Sequence, residues 1–223
     1  MRSYFFLLIF LFVVTGLLLI DPEATAGMTK ETGVVEIGTT ALYVVLIALL
    51  LFFAQPRWPV GKYWYALVAG VLLCRELDFD KIFTSQGILK SRFYESPDVP
   101  IMEKVWAILI LLVILGAVVF TFVKSRKSLF EGIRRRDPIQ LGVVVAFCLA
   151  AVSKLVLDGL PRKLEKIGLG INDYVDAHHG KFEEVLEMGI PIALIIALVY
   201  SRKDFWVARS SAEQSNVENI LRS

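Results

Sequence analysis

The sequence predicts an all-α integral membrane protein: a six-transmembrane-helix bundle with both termini cytoplasmic and two long outward loops carrying interfacial helices. Three observations predict it. The 223 residues are 56% hydrophobic and 21% charged, with a mean hydropathy of +0.64, too apolar for an ordinary soluble domain. Six apolar stretches approach the ~20 residues that a helix needs to cross the hydrocarbon. Basic residues gather in the connections that such a bundle keeps on one side.

The spans are expected at about 4–20, 35–54, 60–77, 105–123, 139–157 and 182–201, within one domain covering 1–207. Residues 208–223 are polar and aperiodic and are expected to form a disordered cytoplasmic tail. The first stretch has a rival reading. Arg2, an apolar run and Ala24-Thr25-Ala26 also fit a secretory signal with a small-residue cleavage site. The run is longer than the ~7–15 residues of a signal core, which favours a retained helix.

Orientation follows from Lys124, Arg126, Lys127, Arg134, Arg135 and Arg136 between the fourth and fifth stretches. Arg57 and Lys62 lie between the second and third, and Arg202, Lys203 and Arg209 follow the sixth. Positive residues stay in the cytoplasm, so both termini are expected inside and the loops after the first, third and fifth spans outside. Of these, the 78–104 loop mixes charge with Phe79, Ile82, Phe83, Ile88, Leu89, Phe93 and Tyr94, a composition suited to the membrane surface. The 159–181 loop opens on Pro161, a first-turn helix residue, and Gly168 and Gly170 would end that helix.

The first and fourth stretches carry no charge and are expected to face lipid, whereas the other four must share a polar interior. Their charges all fall at the outward end. Glu36 opens the second stretch, Arg75 and Glu76 close the third, Lys154 and Asp158 close the fifth, and Glu183 and Glu187 open the sixth. Charge at membrane depth is expensive and faces a bundle interior or a wet cavity, so this end is the candidate site. Glu183 and Glu187 are four apart and share a helix face, where like charges repel. Lys154 and Asp158 have the same spacing and can pair along their helix. Arg75 and Glu76 are adjacent, so they diverge and each needs a partner elsewhere. Pro191 should free the carbonyl of Glu187 one turn earlier.

Five carboxylates stand against two basic groups in this set. Such a surplus in low dielectric demands shared protons, a bound cation or water. If a divalent ion (Mg, Mn, Ca or Zn) binds, its ligands are expected from Glu36, Glu76, Glu183, Glu187 and His178. Glu76, Asp158, Glu183 and Glu187 are then the candidate acid–base groups, and Arg75, Lys154 and Arg162 would hold a phosphate-bearing substrate. The adjacent His178 and His179 lack HxxxH or HExxH spacing and are expected in a loop.

Several classes are excluded. There is no nucleotide-binding glycine loop, no Gly-x-Ser-x-Gly elbow and no thiol pair spaced for redox work. Cys74 and Cys148 are expected as small packing residues at different depths. The basic 124–137 connection lacks the aromatic interleaving of a nucleic-acid surface, so the expected partners are membrane lipids and a membrane protein, with no nucleic acid.

Three functions remain open: a metal-assisted hydrolase or transferase on lipid headgroups or lipid-linked substrates, a proton or cation carrier, and a structural or assembly subunit. The carrier reading is weakened by the absence of polar groups toward the cytoplasmic half and of an inverted repeat. The expected location is a bacterial inner membrane.

Overall fold

The computed structural model describes residues 2–20, 33–53, 62–79, 84, 87–88, 91–157, 160–166, 168 and 178–201. These residues are helical with connecting turns, and no strand occurs among them. The helices are α1 (Arg2–Ile20), α2 (Val34–Phe53), α3 (Lys62–Glu76), α4 (Ser91–Glu95), α5 (Ile101–Arg135) and α6 (Pro138–Ala151). α6 continues as a π-helical segment (Val152–Leu157), followed by α7 (Leu160–Lys166) and by α8, helical over 178–201.

Among the described residues, four helices are long and apolar enough to cross a membrane: α1, α2, α5 and α6 with its π-helical continuation. α3 has 15 residues, about 22 Å at 1.5 Å per residue, which is short of a ~30 Å hydrocarbon core. The fourth apolar stretch ends at Val123, but its helix runs on to Arg135, so the expected basic loop is largely helical. His178 and His179 are likewise helical, not loop residues. The expected tail at 208–223 lies outside the described residues.

The chain divides into two compact units, Met1–Ile20 with Glu131–Ser223 and Asp21–Phe130, and the division falls within α5. In the first, α1, α6 and α8 enclose one core. Leu7, Leu11 and Leu18 of α1 meet Ala146 and Leu149 of α6 and Val185, Ile190 and Ala193 of α8. Two glycines permit this closeness. A methyl on Gly189 would lie 2.6 Å from a Leu11 methyl, and one on Gly142 would lie 2.7 Å from the Ala197 methyl. By contrast, Gly38 and Gly70 have open space around the position a methyl would take.

Polar contacts hold α1 at both ends. Ser3 and Tyr200 share a hydrogen bond of 2.7 Å, Tyr4 donates to the Pro138 carbonyl at 2.6 Å, and the Lys181 ammonium donates to the Leu18 carbonyl at 3.4 Å. The expectation for the two charge-free helices therefore divides. Only 6% of the most apolar window of α5 is buried, but 28% of that of α1 is, because one face of α1 is core.

A two-residue turn joins α5 to α6. Arg136 takes a left-handed conformation (φ 56°), and the Asp137 amide donates to the Gly132 carbonyl at 2.8 Å, a Schellman closure. Asp137 then caps α6 by accepting from the Ile139 amide at 2.9 Å, with Pro138 in the first turn.

In the second unit α2 and α3 pack together, burying Tyr43, Leu46 and Leu50 of α2 and Ala66 and Ala69 of α3. The Trp64 and Phe120 rings stand 4.8 Å apart, and Tyr65 bonds Ser125 at 3.0 Å. A small cap precedes α5: Ile88, Phe93 and Val99 are buried with Ala107. Tyr94 donates to the Ile88 carbonyl at 2.8 Å, and the Lys104 ammonium donates to the carbonyls of Tyr94 and Ser96. Ile88 and Phe93 are thus core residues of the cap, not apolar anchors offered to the membrane surface. Cys74 and Cys148 are both exposed, which corrects their expected role as core packing.

Candidate functional site

The structure brings together three of the expected site residues. Lys154, on the π-helical segment, directs its ammonium between two carboxylates of α8, forming an ion pair with Glu183 and another of 2.6 Å with Glu187. Helical spacing explains the α8 side, since Glu183 and Glu187 lie one turn apart on one face. The lysine relieves the repulsion that this spacing would otherwise impose. Ser153 adds a hydroxyl, donating to the same oxygen of Glu187 at 3.1 Å.

Burial grades across the group. Ser153 is fully buried, the Glu187 and Glu183 side chains are 10% and 18% exposed, and that of Lys154 is 34% exposed. One edge of the cluster is therefore open while its inner carboxylate is enclosed. Val185, wholly buried between the two glutamates in sequence, anchors this part of α8 in the core.

The backbone positions the lysine. An α-helix continued past Ala151 would advance side chains by about 100° per residue, but the π-helical turn from Val152 to Leu157 is wider and shifts that phase. Consecutive residues Ser153 and Lys154 both reach α8 from this segment. π-helical turns inside longer helices recur at functional sites. On the other side Pro191 is fully buried and has no amide hydrogen to offer the Glu187 carbonyl, yet α8 remains helical through it.

Ser153 and the π-helical turn were not foreseen. The signal available was a hydroxyl beside a lysine in an otherwise apolar run, Val152-Ser153-Lys154-Leu155-Val156-Leu157. Nothing in that run announces the wider turn.

Glu36 lies in the first turn of α2, and Arg75 and Glu76 end α3, within the second unit. His178 begins the described part of α8 and is half-buried. Asp158 lies outside the described residues, as does the side chain of Arg162 on α7. Among the described residues no group of three or more His, Cys, Asp and Glu side chains is arranged to hold a metal ion.

Chemically, an ammonium held by two carboxylates, with a hydroxyl on one of them, is a polar network linking two helices that keeps one negative charge in excess when both carboxylates are ionised. No protein-family model, curated protein or solved structure matches the chain.

Proposed function

We propose that this chain is a six-span protein of a bacterial inner membrane, with both termini cytoplasmic, that serves as a non-enzymatic structural or assembly subunit of a membrane complex. Its outward charge network fixes how α6 and α8 sit against each other. The observation that carries this reading is Lys154, whose ammonium meets both Glu183 and Glu187 and so occupies the place a bound cation would take. A satisfied buried network rigidifies and specifies one arrangement of the helices around it. The basic residues at 124–136 support the orientation, and the apolar length of four helices supports the membrane setting.

A second reading rests on a specific observation. Two carboxylates of α8 face one ammonium carried by a π-helical turn, and the cluster has an exposed edge. Such a site could take a divalent ion in place of the ammonium and act as a metal-assisted hydrolase or transferase on lipid headgroups or lipid-linked substrates. His178 would then add a ligand from the same helix, Asp158 would assist as acid or base, and Arg162 would hold phosphate.

Elemental analysis of the purified protein beside Glu187→Gln and Lys154→Gln separates the two. The subunit reading expects no stoichiometric metal in any sample and reduced thermal stability in both variants. A stoichiometric divalent ion lost in Glu187→Gln, or retained more tightly in Lys154→Gln, overturns it and selects the hydrolase or transferase.

A further inference from the structure

The end of the apolar run in α5 is built differently from the rest of that helix. From Val105 to Val123 the helix is uncharged, a length of about 28 Å that matches a ~30 Å hydrocarbon core. Lys124, Arg126 and Lys127 follow at once and are all exposed. If Val123 marks the hydrocarbon boundary, these residues stand within about 6 Å of it, at headgroup depth.

Aromatic residues collect at the same level. Phe120, Lys124 and Lys127 are spaced i, i+4 and i+7, so they share one face of α5. The Lys124 ammonium lies 5.8 Å from the centre of the Phe120 ring, and the Trp64 ring of α3 lies 4.8 Å from the same ring, tilted by 43°. Tyr65 is bonded to Ser125, which fixes α3 beside this turn. Trp64 remains 38% exposed and its neighbour Tyr63 69% exposed. Aromatic rings with lysines beyond them are the side chains that settle at a membrane–water interface.

We infer that Lys124 and Lys127, on the face of α5 that carries Phe120, form a binding site for the phosphate of an anionic phospholipid headgroup. The two ammonium groups meet the phosphate and the rings meet the glycerol and upper acyl carbons. The positive-inside tendency alone accounts for basic residues on this side, but not for the placing of Lys124 over a Phe120 ring that itself packs on Trp64 of a second helix. The inference needs only that α5 crosses the bilayer and does not depend on the role of Lys154.

The test uses the full-length protein in nanodiscs of phosphatidylcholine with about one third phosphatidylglycerol, its retained lipids counted by native mass spectrometry. With two basic residues at the anionic surface, the wild type should retain phosphatidylglycerol in preference to phosphatidylcholine by roughly thirtyfold. Lys124→Gln with Lys127→Gln should abolish that preference, whereas Lys124→Arg with Lys127→Arg and Arg134→Gln with Arg135→Gln should keep it. Equal retention of both lipids by the wild type overturns the site. So does a preference unchanged in the double glutamine variant, or one equally lost in Arg134→Gln with Arg135→Gln, which would reveal diffuse attraction to the whole basic helix. Displacement of the lipid by millimolar inorganic phosphate would also overturn it, because the occupant would then be the free ion. Failure of the wild type to enter nanodiscs would instead refute the membrane reading.

Discussion

Lys154 and Glu187 form a 2.6 Å ion pair between the π-helical end of α6 and the first half of α8, and the hydroxyl of Ser153 donates to the same carboxylate oxygen. The pair joins an enclosed acid to a base that keeps contact with the surroundings. Its two members therefore respond differently to replacement.

Lys154→Met should destabilise the first unit by about 2 kcal/mol. Breaking a fully buried pair costs about 3–5 kcal/mol, and the one-third exposure of Lys154 lowers that figure. Adding Glu183→Gln and Glu187→Gln to Lys154→Met should recover much of the loss, because no unpaired buried charge remains. Thermal unfolding in detergent or nanodiscs, followed by circular dichroism, checks both.

Ser153→Ala should cost about 1 kcal/mol, the contribution of a hydrogen bond to a charged acceptor that retains another donor. Ser153→Ala combined with Lys154→Met should lose more than the sum of the two, since both groups donate to the same oxygen of Glu187. A double-mutant cycle on the unfolding midpoint measures the excess.

Gly142→Ala should destabilise by about 1–3 kcal/mol, because its methyl would fall 2.7 Å from that of Ala197 and also against the Tyr4 hydroxyl. Gly38→Ala and Gly70→Ala, with open space at the same position, should be neutral or slightly stabilising. Comparing the unfolding temperatures of the three variants tests the assignment of close approach to Gly142.

Arg136→Gly should stabilise the α5–α6 turn by about 1 kcal/mol by removing a Cβ from a left-handed residue. Asp137→Ala should weaken it by about 1 kcal/mol by removing the cap of α6. Amide hydrogen exchange over 136–142 reads the two changes in opposite directions.

Burial raises the Tyr94 phenol above its ordinary value of about 10. An acid whose folded-state value is raised stabilises the folded form below its unfolded value and loses that contribution as pH climbs through it. The cap of Ile88, Phe93 and Val99 should therefore loosen only above about pH 10. Tyr94→Phe should remove this dependence together with the bond to the Ile88 carbonyl, as ultraviolet titration and proteolysis across 88–100 would show.

Much of the helical architecture was legible because apolar length is written plainly in composition. Glu183 and Glu187 were legible as a pair for the same reason that any i, i+4 pair is: the α-helical period places them on one face. Lys154 was legible as a site residue, but the route by which it reaches α8 was not. Its expected pairing with Asp158 falls on a residue outside the described ones, and the π-helical turn that carries Ser153 and Lys154 together toward α8 departs from the α-helical phase on which the sequence reading relies. The extent of α5 was hidden because a run of basic residues reads as a loop by charge although lysine and arginine are good helix formers. The role of α1 was hidden for a different reason. An uncharged helix gives no sign of which face is core, and only the glycines of α6 and α8 hint that something must fit against them.

The core formed by Leu7, Leu11, Leu149 and Val185 has a consequence for synthesis. A ribosome releases α1 first and α8 last, and all of residues 21–130 is made in between. The earliest helix must therefore wait in the bilayer, its core face temporarily covered by lipid or by a chaperoning partner, until the latest one arrives. The intervening unit has its own contacts and can form during that delay. Nascent chains stalled before residue 178 should leave α1 open to crosslinking by neighbours that the finished protein excludes.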